Sequence, residues 1–132
     1  MTLVVPNYNG AKLLPRYTPS LLAAAARYPG PAEVVVVDDG STDDTVEMIR
    51  AYPGVRLVEY GEVRGPSAAR NAGSRIARGD ILAFTDADCV VSPEWLTEGV
   101  NALLPGVPGV AGRIEGVTPR NNVQVWMNAR GI

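Results

Sequence analysis

The chain has no histidine, one cysteine and one lysine among its 132 residues. Without histidine, Ser-His-Asp and Cys-His nucleophilic machinery is excluded, and so is the commonest zinc ligand. The single cysteine, Cys89, cannot form an internal disulfide and fits a reducing compartment. A reactive thiolate there would want an activating cation such as histidine. Packing beside Asp88 is therefore its expected role. Lys12 is the lone lysine, the arginines are scattered, and the net charge is -2. That balance does not point to nucleic acid as a partner. No apolar run approaches the length of a membrane span, and Met1 leads into a strand-like segment with no charged leader region. What is present is a core's worth of apolar residues: 46% hydrophobic against 20% charged, which suits one globular domain over residues 1–132.

Two periodicities alternate along the chain. "TLVV" (Thr2–Val5) is a short apolar run ended by Pro6, and "EVVVVDD" (Glu33–Asp39) holds a continuous β-branched run, the pattern of a strand buried on both faces. "VRLVEY" (Val55–Tyr60) and "ILAFT" (Ile81–Thr85) read as two more strands. Thr18 as cap with Pro19 in the first turn predicts a helix running to Tyr28. Ser41 or Asp43 caps the next, with Val46 and Ile49 on its inner face. Ala69, Ala72, Gly73 and Ile76 give a third helix a small-residue face, and Gly79 is expected to stop it. In "SPEWL", Ser92 caps a fourth helix with Pro93 first and Glu94 near its positive end; Leu96, Val100, Leu103 and Leu104 follow helical spacing. Such alternation predicts an α/β fold with a mostly parallel, Rossmann-like sheet and helices on both faces. A fifth strand is expected at about Gly109–Val117. The tail from Asn121 to Ile132 carries Val123, Trp126, Met127 and Arg130 at helical spacing.

Ligands of open α/β sheets sit outside the carboxyl ends of the strands. The segments there are "PNYNG" (Pro6–Gly10), "DDGSTD" (Asp38–Asp43) and "TDADC" (Thr85–Cys89), with "EVRGPSAARNAG" (Glu62–Gly73) entering the third helix. Carboxylates converging on one edge call for a counter-charge. In an extended segment residues i and i+2 point the same way, so Asp86 and Asp88 can share a hard divalent ion, Mg²⁺ or Mn²⁺. The plainer alternative is a solvated turn. Of Asp38 and Asp39, one is expected to serve the turn at Gly40 and the other to accept a hydrogen bond from a ligand. Tyr8 can stack on a base or merely cover the sheet edge. Arg70 lies early in a helix, where a cation opposes the dipole, which suggests that it faces an anion or a carbonyl.

"VVPNYNG", "VVVVDDGSTDDT", "GPSAARNAG" and "GDILAFTDADCVVSPEWL" resemble, in order and spacing, the family 2 glycosyltransferases of GT-A fold. The resemblance covers Thr2 to about Leu104. It implies a nucleotide-diphosphate-sugar transferase, inverting and metal-dependent, with residues 1–104 as the donor half and 105–132 as the start of an acceptor half. By resemblance, Pro6 and Tyr8 line the base pocket, Asp38 or Asp39 contacts base and ribose, and Arg70 lies near the nucleobase. Asn9 and Ala87 complete the implied nucleotide-sugar-binding set. Asp86 approaches ribose or metal-bound water, and Asp88 ligates the metal that bridges the phosphates. The implied donor is UDP-, GDP- or dTDP-linked, and the acceptor is a saccharide or lipid-linked hydroxyl. The implied location is the cytoplasm, with the inner face of the membrane as an alternative. The family's acceptor half supplies a later acidic general base, and no such motif is read before Ile132. The chain is accordingly expected to be truncated, with its base beyond Ile132; Glu115 on the expected fifth strand is not assigned that role.

Other readings fit less of the sequence. "FTDADCV" imitates the D-x-D-x-T/V signature of haloacid dehalogenase-type phosphatases, but that motif follows a first strand and needs a downstream lysine. A phospho-receiver also wants a late lysine, and a dinucleotide-binding dehydrogenase wants G-x-G-x-x-G after the first strand. A non-catalytic fragment that binds nucleotide sugar without transferring it remains the alternative within the same resemblance.

Overall fold

The computed structural model describes residues 1–114. The elements are β1 (Thr2–Asn7), α1 (Leu14–Arg27), β2 (Glu33–Asp39), α2 (Thr45–Arg50), β3 (Val55–Tyr60), α3 (Pro66–Ile76), β4 (Leu82–Phe84) and α4 (Trp95–Ala102). The four strands form one parallel sheet in the order β3-β2-β1-β4. The fold is the expected α/β class.

The sheet centre follows directly from composition. Val34, Val35, Val36 and Val37 are all fully buried because β2 is covered on both faces. Alternation splits them: Val34 and Val36 join Leu3, Val5, Leu14, Leu21 and Ile49 on the α1/α2 face. Val35 and Val37 join Val4, Ala69 and Ala72 on the α3 face. Each buried valine contributes roughly 1.5–3 kcal/mol as an upper-bound transfer term.

The small-residue face of α3 has a steric cause. A Cβ on Gly73 would lie 2.3 Å from Val4 Cγ1, so the helix rests directly on β1. Ile76, expected on the same face, stays partly exposed at the helix end.

Several expected boundaries move. β1 runs through Pro6 to Asn7 instead of stopping at Val5. Thr2 N–H donates to Ile81 and Thr85 N–H donates to Val4, so the even residues of β1 face β4. Pairing with β4 reaches only Val4. Pro6 is the next residue on that side and forfeits no ladder bond. α1 begins at Leu14, with Pro15 in its first turn and Pro19 inside the helix. Thr18 is a buried helical residue and not a cap. α3 ends at Ile76 with an extended Ala77, so Gly79 does not stop it. Gly79 lies instead against the Met1 backbone, where a Cβ would come within 2.4 Å of Met1 N. β4 is trimmed to Leu82–Phe84. α4 starts at Trp95, because Ser92–Trp95 forms a turn closed by Trp95 N–H to Ser92 O. Leu103 and Leu104 fall beyond it.

Cα packing divides the chain into two compact units, Met1–Glu98 and Gly99–Ile132. The first holds the sheet, α1–α3 and the start of α4. The second completes α4, and Val107 N–H then closes a turn onto Leu104 O. Residues 109–114 form no strand, which corrects the expected fifth strand over its described part. The rest of that segment, with Glu115, and the tail with Val123, Trp126, Met127 and Arg130 lie outside the described residues.

Candidate functional site

Strand order reverses between β1 and β4: β2 and β3 lie on one side of β1, β4 on the other. The crevice outside the carboxyl ends at such a switch point is where α/β sheets hold ligands. A cleft of about 310 Å³ lies there, lined by Pro6, Asn7 and Tyr8 after β1, Asp39 after β2, Pro66 at the start of α3, and Asp86 and Asp88 after β4.

Pleat alternation decides which aspartate of β2 reaches it. Asp39 shares parity with Val35 and Val37, the α3 face. Its carboxylate accepts Arg64 N–H at 2.8 Å and Gly65 N–H at 2.7 Å, pinning the chain that enters α3. Asp38 shares parity with Val34 and Val36, the opposite face. It accepts Ser41 N–H at 3.0 Å and the Ser41 hydroxyl, and Asn7 Nδ2 approaches it at 3.4 Å. Asp38 thus serves the turn, and Asp39 both buttresses a loop and lines the cleft.

The loop after β4 is a turn, with Cys89 N–H donating to Asp86 O at 3.2 Å. The extended i, i+2 geometry expected for Asp86 and Asp88 is therefore absent, yet the turn still delivers both to the same cleft. Both are exposed. The Arg70 guanidinium donates to Asp86 Oδ1 at 2.5 Å, so Arg70 faces an anion, although as the fifth residue of α3 it lies past the turn where the dipole acts. The Cys89 thiol makes a weak contact with Asp88 Oδ1 at 3.7 Å, and Ala87 packs against the α1/α2-face core.

Asn9 stands apart from the cleft. Its backbone has a positive φ of 50°, a conformation asparagine tolerates. Its Oδ1 accepts Thr42 N–H at 2.8 Å and its N–H donates to Ser41 Oγ, tying the β1–α1 loop to the β2–α2 loop. Asn9 lines a separate hollow of about 560 Å³ with Ala11, Lys12, Asp43, Asp44 and Met48. There Asp43 accepts Thr45 Oγ1 and N–H and Ala11 N–H. The Thr45 hydroxyl is the main cause that holds its pKa below the usual aspartate range. Its lining comes from the segments after β1 and β2, away from the β1/β4 switch point where such sheets hold ligands.

Sequence reasoning points to Pro6, Tyr8, Asp39, Asp86 and Asp88, which the structure gathers in the cleft. Asn7 and Pro66 lie within the same motifs but carry no functional signal of their own in the sequence. Asn7 Oδ1 is buried without a hydrogen-bond partner, and only the alternation of β1 against Asp38 could have flagged it. Asp86 and Asp88 are the residues that could hold a divalent cation. Among the described residues no group of three or more Cys, Asp or Glu side chains is arranged to enclose one.

The chain matches the family model for Glycosyl transferase family 2 over residues 2–130. It is 35% identical over 125 residues to the glycosyltransferase AglE of Haloferax volcanii, covering 90% of this chain and 40% of that protein. The S. aureus TarS 1-349 structure in complex with UDP-GlcNAc superposes with a TM-score of 0.65 at 30% identity, covering 76% of this chain and 30% of that one. A mannosyltransferase from Pyrobaculum calidifontis in complex with GDP-Man and Mn²⁺ gives a TM-score of 0.64 at 35% identity, covering 75% and 30%. The chain spans less than half the length of each. With a parallel sheet whose switch-point cleft gathers the motif residues, and a family match that runs nearly end to end, the chain belongs to glycosyl transferase family 2.

Proposed function

We propose that this chain carries the donor-binding cleft of a glycosyltransferase that takes a nucleoside-diphosphate sugar (UDP-, GDP- or dTDP-linked). The sugar passes, with inversion, to a hydroxyl on a saccharide or lipid-linked acceptor, in the cytoplasm or at the inner face of the membrane. The observation that carries this reading is the convergence of Tyr8, Asp39, Asp86 and Asp88 in one cleft at the switch point. Two similar structures hold UDP-GlcNAc and GDP-Man, which supports the donor class.

Tyr8 is half exposed and offers a ring on which a base can stack. Each Asp39 oxygen holds one backbone N–H and retains a lone pair for a base N–H or ribose hydroxyl. Pro6 and Pro66 give the cleft rigid apolar walls.

The donor set suits a divalent cation. Asp86 and Asp88 supply two hard oxygen ligands in an open turn, the arrangement for Mg²⁺ or Mn²⁺, which keep waters and take further oxygens from substrate phosphates. When bound, such an ion neutralises charge building on the departing diphosphate. Asp88 would be the principal ligand; Asp86, whose carboxylate Arg70 engages, would help seat the ribose and the ion's water shell. Asp39, Asp86 and Asp88 are then all committed, so deprotonation of the acceptor falls to none of them. That commitment also favours a second reading, in which this chain binds donor without transferring sugar by itself.

The test is thermal. UDP or GDP with Mn²⁺ raises the melting temperature of wild type, and Asp88→Ala removes the metal-dependent part. No shift with any nucleoside diphosphate, with or without metal, overturns the reading. Release of nucleoside diphosphate from donor in the presence of acceptor separates transfer from binding alone.

A further inference from the structure

Asp39, Asp86 and Asp88 line one cleft, and Arg70 pairs with this group through Asp86 Oδ1. Arg64 turns elsewhere: its guanidinium pairs with Glu62 and lies over the Tyr60 ring. We infer that Arg70 is a resident counter-cation that competes with a divalent cation for the Asp86 carboxylate, and so sets how tightly the cleft takes a metal. The inference rests on the donor-cleft reading above.

Three features support competition over a fixed structural clamp. The contact runs from a single guanidinium nitrogen to Asp86 Oδ1, and not through the two-bonded fork that makes arginine–carboxylate pairs strong. The two side chains are 36% and 57% exposed, and ion pairs this open hold weakly. Arg70 is also the fifth residue of α3, past the first turn, so the helix dipole gives the guanidinium no anchor of its own. The backbone beneath it, by contrast, is fixed. Asp39 holds Gly65 N–H, the residue that opens α3, and Gly73 seats the helix on Val4. The side chain can leave Asp86 while its helix stays in place.

Arg70 is thus a positioning residue that acts through Asp86, and the sign of its effect is diagnostic. A unit charge about 6 Å from a dication in near-aqueous dielectric changes affinity roughly tenfold. Mn²⁺ alone, titrated calorimetrically into the chain, should bind Arg70→Gln about tenfold more tightly than wild type. Arg70→Lys, which keeps the charge, should stay near wild type, and Asp88→Ala should lose binding. A purely structural role for Arg70 moves the result the other way, because losing it would loosen Asp86 and weaken binding. A second readout needs no Arg70→Gln protein: the Arg70 guanidinium ¹⁵N–¹H signals of wild type should shift as Mg²⁺ is added, and should not in Asp88→Ala. Equal or weaker Mn²⁺ binding by Arg70→Gln, or guanidinium signals unmoved by saturating Mg²⁺, overturns the inference. If nucleoside diphosphate with Mn²⁺ still raises the melting temperature in that case, the donor-cleft reading survives; if it does not, both fall.

Discussion

Gly73→Ala is the sharpest single perturbation of this fold. In an exposed helix the change would stabilise, by about 1 kcal/mol, because alanine is the better helix former. Here the new Cβ would meet Val4 Cγ1 at 2.3 Å, with Val4 Cγ2 and Val37 Cγ2 both at 3.2 Å. Favourable carbon contacts begin near 3.5 Å, so more than about 1 Å must be found. A rotation that turns the Val4 Cβ hydrogen toward Gly73 must push a methyl elsewhere into a fully buried site. Val4 is fully buried in a strand paired on both sides, so β1 cannot retreat. The remaining relief is to lift α3, which opens space over Val35 and Val37. Overpacking of this kind costs about 1–3 kcal/mol. Taking the upper part of that range against the propensity gain leaves a net loss of about 1–2 kcal/mol. For a domain of this size that lowers the melting temperature by roughly 4–10 °C. Urea unfolding of Gly73→Ala beside Gly99→Ala gives the comparison. Gly99 lies in α4, and a Cβ added there would meet nothing within 4 Å among the described residues, so its substitution should stabilise. If Gly73→Ala stabilises as Gly99→Ala does, the close seating of α3 on β1 is refuted.

Asp39→Asn keeps the size of the side chain but leaves one acceptor oxygen for two backbone donors. One of Arg64 N–H and Gly65 N–H should lose its partner, at about 1–3 kcal/mol, with weaker nucleoside diphosphate binding in the same variant. Unchanged stability by urea unfolding would contradict that role. Glu33 ties the opposite edge of the sheet. Burial opposes its ionisation, but the Thr2 hydroxyl, Arg78 N–H, and the charges of Arg56 and Arg78 outweigh it and hold its pKa below the usual 4.5. A lowered folded-state pKa gives stability that is present above 4.5 and lost as pH falls through the folded value. Glu33→Gln should therefore be less stable than wild type at neutral pH, with the gap narrowing below pH 4.5; a gap independent of pH would show that Glu33 acts without its charge.

The layer structure was legible because its signals are local and strong. Four consecutive valines mark a strand covered on both faces, and small residues at 69, 72 and 73 gave a helix face whose cause, close seating on β1, the structure supplies. Capping was less legible. Pro19 looked like a first-turn residue, but Pro15 four residues earlier makes the same signal, and packing of Leu14 and Thr18 carries the helix through Pro19. Gly79 looked like a stop signal, while its cause is the Met1 backbone beyond it, a contact between residues far apart in sequence.

At the site, the motifs marked segments that the structure gathers around one cleft, and alternation along β2 resolved Asp38 from Asp39 only once the partner face of each was known. The Asp86–Asp88 pair was read through strand geometry, yet β4 ends at Phe84 and a turn brings the two together. The Arg70–Asp86 contact joins residues 16 apart and had no signature beyond an arginine read as lying early in a helix.

The central claim is that this cleft binds a nucleoside diphosphate through a cation held by Asp88. Calorimetric titration of UDP and of GDP into wild type, with Mn²⁺ in excess and again with chelator, tests it most directly. One of the two should bind with Mn²⁺ and weaken at least tenfold on chelation, with Asp88→Ala behaving in Mn²⁺ as wild type does in chelator. Binding of neither nucleotide, or binding indifferent to both Mn²⁺ and Asp88, would contradict it.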